Sequence, residues 1–544
     1  MSVSDLSISL PPRSDRKFAV KEVSLKINRG ETLCIVGESG SGKSVMASAI
    51  MGDIAPQLKV ASGDIIFEEK NVLKMSPREL NELRGSRISM IYQEPMAALN
   101  PSIKIGKQIE EVYQLHQPDI SQQQRKSETL DLLTQLKLPK PERIFDSYPH
   151  QISGGQCQRV VIAMALACKP DVLIADEPTT ALDVTTQAEI LRLFNDLKEI
   201  YDNATIFITH DFGVVAEIAD RVAVMCWGEI VEEGSREQIL MQPKQPYTQL
   251  LVDAMPLLEA NRKPNSERKD APIIEVEKLH KIYNSGKNQV HAVKDASFAL
   301  HTGETLGVVG ESGSGKSTLA KTLIRLEEAS EGSVIINEKD FLSFKGEDLA
   351  KARKDIQMIF QDPFGSLNPS HSVGYAITRG LLIQGFSAKE ARAKAFELLE
   401  NVGLPEVAFK RKPTKFSGGQ RQRIGIARAL AMGPSALIAD ESVSALDLSV
   451  QKQVLQLLDD LQQKYQMSII FITHDLRVAA QISDYIAVMQ NGLIVELGAA
   501  SEIFESPKHM YTKQLIAAAP GRDWNPPRLS RERASEIAKN IERI

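Results

Sequence analysis

The chain has 544 residues, of which 42% are hydrophobic and 25% charged, and its formal net charge is -5 at pH 7. This length predicts more than one domain, and the composition is that of a soluble globular protein without the positive charge typical of nucleic-acid binding. The sequence contains no apolar run of about 18 residues and no charged segment followed by an apolar leader, so we expect neither a membrane-spanning helix nor secretion.

The four cysteines lie singly within strand-like or helical runs, at Cys34, Cys157, Cys168 and Cys226. Their spacing matches neither a CxxC pair nor a set of metal ligands. We therefore interpret them as buried or incidental thiols in a reducing compartment.

The first motif in chain order is GESGSGKS, from Gly37 to Ser44, which follows the apolar run LCIVG and precedes a helical pattern. It fits the phosphate-loop pattern G-x-x-x-x-G-K-[ST], in which glycines let backbone N–H groups converge on phosphate oxygens. In this pattern Lys43 reaches the terminal phosphates and Ser44 ligates Mg²⁺. The strand, loop and helix together predict a site for a nucleoside triphosphate.

A mostly helical insertion is predicted at about residues 94–152, from the periodicity of EVYQLH and TLDLLTQLKL. It is followed by SGGQ, in which Ser153 is a credible N-cap for the apolar helical pattern that comes next. The paired glycines Gly154 and Gly155 leave backbone donors uncovered at a helix start. We therefore interpret this segment as an anion site rather than only a turn.

The run DVLIADE, residues 171–177, predicts a strand buried on both faces that ends in two carboxylates. Asp176 fits the role of holding Mg²⁺, and Glu177 fits that of polarising an attacking water. A single acid pair is more often a solvated strand end. Its repetition beside a second phosphate loop favours the catalytic interpretation.

All of these motifs occur twice, in the same order. Lys316 minus Lys43 gives 273, and His474 minus His210 gives 264, so the spacing shrinks only by small deletions. We predict a tandem duplication of one domain of about 250 residues. The expected parts are a first domain at 1–256, a charged linker at 257–272, a second domain at 273–520 with a helical insertion at about 362–416, and a solvated tail at 521–544.

SGGQ between a phosphate loop and a strand ending in Asp-Glu resembles the signature of ATP-binding cassette (ABC) ATPases, and the resemblance covers both halves almost completely. Further positions resemble the family's Q-loop glutamines, D-loop aspartates and switch histidines, at Gln93, Gln361, Asp183, Asp447, His210 and His474. Each residue alone is ambiguous, and their order and duplicated spacing carry the resemblance. We expect an α/β fold with two tandem P-loop NTPase domains, each with a mixed, mainly parallel sheet and a helical subdomain.

The resemblance implies a head-to-tail pairing of the halves, in which each ATP is held by the phosphate loop of one half and the SGGQ segment of the other. The first composite site would contain catalytic Glu177 and His210, the nucleotide contacts Gly37, Ser39, Gly40, Gly42, Lys43, Ser44, Val45 and Gln93 with Ser417, Gly418, Gly419 and Gln420, and the Mg²⁺ ligands Ser44, Gln93 and Asp176. The second would contain catalytic Glu441 and His474, the nucleotide contacts Gly310, Ser312, Gly313, Gly315, Lys316, Ser317, Thr318 and Gln361 with Ser153, Gly154, Gly155 and Gln156, and the Mg²⁺ ligands Ser317, Gln361 and Asp440. Because both sets are intact, we predict that both sites hydrolyse ATP.

The two halves differ where the family stacks an aromatic side chain on adenine. Aligning the loop lysines places Leu10 opposite Tyr283, so this aromatic residue is present only in the second half. Phe18 is a candidate substitute. We expect the missing stacking partner to cost about 1 kcal/mol and to weaken nucleotide binding at the first site several-fold.

The segments EPMAALNP and DPFGSLNP, and a P-x-x-x-Y-T-x-x-L pattern near the end of each half, look like the dipeptide/oligopeptide importer subfamily, whose fused versions resemble ATPases for glutathione or microcin C uptake. The resemblance implies an ATPase that uses ATP and Mg²⁺ at the cytoplasmic face of the inner membrane. It implies two permease subunits as partners, an extracytoplasmic substrate-binding protein as an indirect partner, and no nucleic acid. Because no cysteine follows Cys226, we predict no iron-sulfur centre of the kind some members carry.

Two other classes of tandem ABC protein stay open. A soluble protein acting on ribosomes or DNA is disfavoured by the short linker, the missing heptad arrays and the acidic balance. The ATPase of an exporter is disfavoured only by the importer-like segments. The transported substrate is not encoded in this chain, since the residues that select it would lie in other subunits.

Overall fold

Both halves of the chain repeat the same order of strands, and most of the helices of the first half recur in the second. The computed structural model describes residues 1–12, 14–180, 182–262, 271–285, 288–362, 365–444, 446–530, 532–534 and 536–537. The chain divides into two units, one formed by Met1–Met255 with Asp523–Ile544 and the other by Pro256–Arg522. Parts of three expected segments lie outside the described residues, namely 263–270 of the linker, 363–364 of the second importer-like segment and 538–544 of the tail.

The strands of the first unit are β1 (Ser2–Ser9), β2 (Phe18–Lys26), β3 (Thr32–Val36), β4 (Lys59–Phe67), β5 (Lys70–Asn71), β6 (Ile88–Ile91), β7 (Val172–Asp176), β8 (Ala204–Thr209), β9 (Arg221–Cys226) and β10 (Glu229–Ser235). Its helices are α1 (Lys43–Ile50), α2 (Pro77–Leu83), α3 (Pro95–Ala98), α4 (Ile105–His116), α5 (Gln122–Gln135), α6 (Pro141–Asp146), α7 (Gly154–Leu166), α8 (Val184–Tyr201), α9 (Phe212–Ile218), α10 (Arg236–Met241) and α11 (Pro246–Ala254). Short 3₁₀ turns lie at Val72–Lys74 and Pro149–Gln151.

The main sheet of the first unit has, among the described residues, the strand order β10-β9-β3-β8-β7-β6. Strands β3, β7 and β8 read TLCIV, VLIAD and ATIFIT and are buried along their whole length. Such continuous apolar runs suit parallel strands covered on both faces. Neighbouring strands are parallel except for β9 and β10, which pair antiparallel at one edge. The predicted mixed, mainly parallel sheet is therefore confirmed.

The register of this sheet brings three strand ends to one edge. Val36, at the end of β3, pairs with Thr209 at the end of β8, and Asp176, at the end of β7, pairs with Ile208. The loop after β3, the acid pair at the end of β7 and the histidine after β8 consequently lie side by side. This is the edge at which open α/β sheets bind ligands.

A second, antiparallel sheet with the order β2-β1-β4-β5 was not predicted from the sequence. Irregularities shift the register between β1 and both of its neighbours, and they obscure the simple alternation that identifies a strand from sequence. Its residues Leu6 and Val20 share one apolar core with Ile35 of β3 and Met46 of α1. This sheet therefore supports the helix that follows the first phosphate loop.

The region of the expected insertion at 94–152 contains α3 to α6 and a 3₁₀ turn. Helix α4 packs against α5 and α6 and buries Ile105, Ile109 and Tyr113. Helix α7, which begins at the SGGQ segment, contacts α3, α4, α5 and β6. It therefore connects the helical layer with the main sheet.

The strands of the second unit are β11 (Ile274–Ser285), β12 (Asn288–Leu300), β13 (Thr305–Val309), β14 (Glu331–Ile336), β15 (Lys339–Asp340), β16 (Ile356–Ile359), β17 (Ala436–Asp440), β18 (Ser468–Thr473), β19 (Tyr485–Gln490) and β20 (Leu493–Ala499). Its helices are α12 (Lys316–Leu323), α13 (Gly346–Ala352), α14 (Val373–Ile383), α15 (Ala388–Asn401), α16 (Gly418–Leu430), α17 (Leu448–Tyr465), α18 (Leu476–Ile482), α19 (Ala500–Glu505) and α20 (Met510–Ala517). Within the described residues, β16-β17-β18-β13-β19-β20 and β12-β11-β14-β15 repeat the two sheets of the first unit.

The C-terminal segment differs from the expected solvated tail, because it packs on the first unit. The ring of Trp524 stacks on Phe212 of α9, with centroids 6.4 Å apart, and the backbone N–H of Leu529 donates to Asp253 Oδ1 at 2.9 Å. A local pattern of charge and proline cannot reveal such partners, which lie hundreds of residues away. Within the described ranges, no helix combines the length and the apolar character needed to cross a membrane.

Candidate functional site

The first phosphate loop connects β3 with α1 and curls around the ammonium group of its lysine. Lys43 Nζ donates to the carbonyl oxygens of Gly37 at 2.7 Å and Glu38 at 2.9 Å. Gly42 adopts φ 106°, and a Cβ there would lie 2.3 Å from the carbonyl oxygen of Ala19. Only glycine fits this position, because the left-handed conformation and the close approach of backbone both exclude a side chain.

The second loop has the same geometry. Lys316 Nζ donates to the carbonyl oxygens of Gly310 and Glu311, each at 2.8 Å. Gly315 has φ 105°, with its missing Cβ directed at the carbonyl oxygen of Ala292. Both loops thus hold a buried lysine at the start of a helix, where the macrodipole and the free N–H groups favour anions.

The predicted catalytic residues of the first half meet at the sheet edge. Gln93 Nε2 donates to Glu177 Oε2 at 3.1 Å, and His210 Nδ1 lies 3.3 Å from the same oxygen. The hydroxyl of Thr180 donates to it at 3.0 Å. Thr180 is close to Glu177 in the chain, whereas Gln93 and His210 are distant in sequence, and the strand register brings them onto the same carboxylate.

The second half repeats this cluster. Gln361 Nε2 donates to Glu441 Oε2 at 2.7 Å, and His474 Nδ1 lies 3.4 Å from Glu441 Oε1. Both glutamates have left-handed backbones, with φ 46° at Glu177 and φ 44° at Glu441. Such a conformation costs a non-glycine residue on the order of 1 kcal/mol or more and is concentrated at functional sites.

The pKa values within each glutamate–histidine pair move in opposite directions. Burial lowers the pKa of His210, but the hydrogen bond and the charge of Glu177 outweigh burial and raise it above its usual value. Burial raises the pKa of Glu177, but the hydrogen bond and charge of His210 outweigh it and lower that pKa. In the second half, the hydrogen bond from His474 is the largest cause of the lowered pKa of Glu441. Each glutamate is therefore held ionised, as a group that activates water must be.

The aspartate of each acid pair faces the loop serine. Ser317 Oγ donates to Asp440 Oδ1 at 3.1 Å, and Ser44 makes the matching hydrogen bond to Asp176. Asp176 Oδ1 is buried, and no donor in the described part of the chain reaches it. A hydroxyl and a carboxylate with a spare buried oxygen form a hard oxygen donor set that fits Mg²⁺.

The SGGQ segments form helix starts with a reciprocal cap. Gln156 N–H donates to Ser153 Oγ at 3.3 Å, and Ser153 N–H donates to Gln156 Oε1 at 3.0 Å. A Cβ on Gly154 would meet open space, whereas one on Gly155 would lie 2.4 Å from Thr186 Cγ2. Packing therefore explains Gly155 but leaves Gly154 open to solvent or a ligand.

The second SGGQ segment repeats the cap between Ser417 and Gln420. A Cβ on Gly419 would lie 2.3 Å from Val450 Cγ1, and one on Gly418 would be in ordinary contact with Leu446 at 3.8 Å. The D-loop aspartate of the first half has a structural role, since Asp183 caps α8 by accepting from Thr186 N–H at 3.0 Å.

The positions at which the resemblance predicts a stacked base differ between the two halves. Tyr283 lies on β11 with Lys281 Nζ 4.8 Å from its ring centroid, whereas Leu10 N–H donates to the carbonyl of Lys17 at the corresponding hairpin. The ring of Phe18 lies 4.9 Å from Lys17 Nζ.

Two residues beside the first phosphate loop were missed by sequence reasoning. The guanidinium of Arg16 donates to the carbonyl of Gly40 and lies 5.4 Å from the ring centroid of Trp227. Trp227 is half exposed and is replaced by Asn491 in the second copy. A large aromatic residue unmatched in the second copy was the signal that could have indicated this position.

Comparisons with known proteins agree with this architecture. A profile described as "ABC transporter" matches residues 20–180 and 293–444, and one described as "Oligopeptide/dipeptide transporter, C-terminal region" matches residues 231–286 and 495–542. The Glutathione import ATP-binding protein GsiA of Salmonella paratyphi A is 47% identical over 96% of this chain and 90% of its own. The protein of the same name from Escherichia coli O6:H1 is 45% identical over 96% and 89%.

Among solved structures, cbiO1 from Clostridium perfringens, part of the ABC transporter complex cbiONQ, is 28% identical and covers 44% of this chain and 92% of its own, with a TM-score of 0.40. The two matches to the profile described as "ABC transporter" fall one in each unit, and the relatives match nearly the whole chain. The predicted family and α/β fold class are confirmed. The chain belongs to the ABC transporter family and is an ATP-binding, ATP-hydrolysing protein with two cassettes and the C-terminal region of oligopeptide/dipeptide transporters.

Proposed function

We propose that this chain is the ATPase subunit of a membrane importer for peptides or peptide-like compounds, including glutathione. The observation that carries the proposal is the near full-length similarity to glutathione import ATP-binding proteins, at 47% identity over 96% of the chain. The oligopeptide/dipeptide transporter region after each cassette supports it. The chain would act at the cytoplasmic face of the inner membrane, as a peripheral subunit.

Each half contributes the residues for cleavage of the γ-phosphate. Lys43 and Lys316 neutralise the terminal phosphates, and Glu177 and Glu441 accept a proton from the attacking water. The glutamine and histidine bound to each glutamate keep its carboxylate in place, and they would contact the water and the γ-phosphate. The serine–aspartate pairs would hold Mg²⁺, which supplies positive charge to the β- and γ-phosphate oxygens.

The two halves would complete each other's sites by head-to-tail pairing. A Cβ on Gly154 would meet open space, so the helix start at Ser153 and Gly154 leaves room for an anion, which supports its pairing with the phosphate loop of the other half. ATP then bridges two anion-binding helix starts, and cleavage removes one end of the bridge. Closure with ATP and opening after hydrolysis follow from this difference in binding.

A groove beside the second Q-loop supports the assignment of permease partners. It has a volume of about 400 Å³ and lies among β16, α14 and α16, with Met358, Phe360 and Gly380 in its lining. Phe360, which precedes Gln361, is exposed, as are Leu382 and Ile383 of α14. The groove combines apolar side chains with Arg353, Arg379 and Arg428, and its place beside the Q-loop suits an amphipathic partner helix that senses nucleotide state. We assign two permeases as direct partners and a substrate-binding protein as an indirect one.

Purification from detergent extracts and uptake assays test this function together. We expect two permeases to co-purify with the full-length chain, and a deletion strain to lose uptake of labelled glutathione and of short peptides. A strain that carries the Glu177→Gln/Glu441→Gln double variant provides the matched control, because it retains the protein and lacks turnover. Recovery of ribosomes or nucleic acid in place of permeases would contradict the transport assignment, and unchanged peptide and glutathione uptake would remove the proposed substrates.

A further inference from the structure

Each unit contains a short stretch of chain that follows the last helix of the other unit. The first unit includes the segment after Arg522, which follows α20 of the second unit. The second unit includes Pro256–Arg262, which follows α11 of the first. We call residues 523–530 the C-terminal strap and residues 256–262 the linker strap.

The C-terminal strap covers the helix that follows the first switch histidine. Trp524 stacks on Phe212, the first residue of α9, with ring planes 26° apart. Phe212 is only 1% exposed, and the indole nitrogen of Trp524 is buried. Phe212 comes two residues after His210, so the strap contacts the same turn of chain that places the histidine against Glu177.

The C-terminal strap is fixed at a second point on the same unit. Arg528 Nη1 donates to the carbonyl oxygen of Asp253 at 2.6 Å, and the N–H of Leu529 donates to Asp253 Oδ1 at 2.9 Å. Asp253 is buried near the end of α11. Each of these hydrogen bonds includes a charged group, the guanidinium of Arg528 in one and the buried carboxylate of Asp253 in the other. Such hydrogen bonds are among the stronger ones, so they hold the strap in register beside α9.

The linker strap lies on the matching helix of the second unit. Asn261 N–H donates to the carbonyl oxygen of Ala480 in α18 at 3.2 Å. The mostly buried guanidinium of Arg262 donates to Thr305 Oγ1 at 3.1 Å and Gln462 Oε1 at 2.8 Å, and it pairs with Asp459. Helix α18 begins two residues after His474. The linker strap therefore reaches α18 through one backbone hydrogen bond from Asn261, and Arg262 anchors that stretch to β13 and α17 beside it.

The physical effect follows from the size of the two helices. Helices α9 and α18 have seven residues each, too few to be stable without tertiary packing. Helix α9 packs on β3 and β8 and against α8 and α10, and helix α18 packs on β13 and β18 and against α19. Each strap adds a contact to those that set the position of its helix. A displacement of about 1 Å at a catalytic group costs on the order of 100-fold in rate.

We propose that Trp524 is a positioning residue for His210 through its contact with α9, and that Arg262 is a positioning residue for His474 by anchoring the strap whose Asn261 contacts α18. Each switch histidine is then held by chain that leaves the other cassette. This inference rests on the proposed role of the histidines in hydrolysis. It makes hydrolysis at each cassette dependent on the attachment of the other cassette's C-terminal end.

The test compares the two halves of one molecule. Full-length protein in complex with its permeases is trapped with vanadate and a photoreactive ATP. A protease site placed within 263–270 then separates the two halves of the chain. The amount of covalently bound nucleotide label is measured in each half. Trp524→Ala is expected to lower label in the first half about tenfold or more and to leave the second half within about twofold. Arg262→Ala is expected to give the reverse pattern. Trp524→Phe keeps a stacking ring and is expected to restore the first half.

Equal loss in both halves, loss in neither, or identical behaviour of Trp524→Ala and Trp524→Phe would overturn the proposal. Hydrogen exchange provides a second measurement, which does not require turnover. Trp524→Ala, or the milder Arg528→Ala if the first variant folds poorly, is expected to speed exchange in residues 212–218 and not in 476–482. Unchanged hydrogen exchange in residues 212–218 would overturn the proposal even if the protein hydrolyses ATP. Absence of nucleotide label from both halves of the wild-type protein would count only against the proposed hydrolytic function.

Discussion

Each predicted catalytic glutamate is the point where contacts from several segments of the chain converge. Glu177 receives Gln93, Thr180 and His210, and its backbone is held in the left-handed region. A strained residue persists only where its surroundings determine its conformation, which here are the strand end and the side chains bound to the carboxylate. This arrangement orients a charged oxygen before any substrate arrives.

Replacement of either glutamate tests whether both sites are catalytic. We expect Glu177→Gln and Glu441→Gln each to lower ATP turnover by roughly 10²-fold or more, because the amide cannot accept the proton of the attacking water. ATP binding should persist, since the phosphate loops are unchanged. Steady-state phosphate release and nucleotide binding measure the two effects. Normal turnover in Glu177→Gln beside complete loss in Glu441→Gln would show that only the second site works.

The aromatic residue at position 283 gives a prediction about nucleotide affinity. Tyr283→Ala is expected to weaken binding at one of two ATP sites several-fold, from the loss of about 1 kcal/mol of stacking. Tyr283→Phe keeps the ring and should bind normally. Equilibrium binding of ATP, measured with Tyr283 variants that also carry Glu177→Gln and Glu441→Gln, gives the affinities of the two sites without hydrolysis. Equal ATP affinities of the Tyr283→Ala variant and the protein with Tyr283 would show that adenine does not stack on this side chain.

At the scale of elements, the SGGQ helices combine a packing role with an open face. The missing Cβ of Gly155 faces Thr186 of α8 at 2.4 Å, whereas that of Gly154 faces open space. The two adjacent glycines therefore serve different purposes. One permits close contact between helices, and the other keeps backbone donors accessible.

This contrast provides a matched pair of variants. We expect Gly155→Ala to destabilise the fold by about 1–3 kcal/mol, because Thr186 must move. Gly154→Ala should leave stability within about 0.5 kcal/mol, since the site is open and exposed, yet lower ATP turnover by crowding the helix start. Thermal unfolding and phosphate release distinguish the two. If Gly154→Ala had full activity, the helix start would not contact the nucleotide closely.

Most of the strands and loops at the sheet edge could be predicted from the sequence, but few of the elements that surround them could. Buried runs such as VLIAD and motif order identified the strands and loops that meet at the site, because parallel strands carry a strong local signal. The antiparallel sheet was missed because bulges interrupt its alternation. The packing of Trp524 on Phe212 was missed because it depends on residues more than 300 positions apart, which no local pattern records.

At the scale of the whole molecule, duplication explains why two complete sets of the predicted catalytic residues occur in one chain. The chain passes between its units twice, once after Met255 and once after Arg522. If SGGQ of each half serves the loop of the other, neither half hydrolyses ATP alone. The two cassettes would then open and close together, and a pair of permeases would respond to that movement.

An experimental structure of the Glu177→Gln/Glu441→Gln variant with ATP and Mg²⁺ tests this central claim most directly. We expect two ATP molecules, one with its γ-phosphate between Lys43 and the amides of Gly418 and Gly419, and the other between Lys316 and the amides of Gly154 and Gly155. Nucleotide bound to either lysine with the paired glycines of the other half turned away from it would contradict the account.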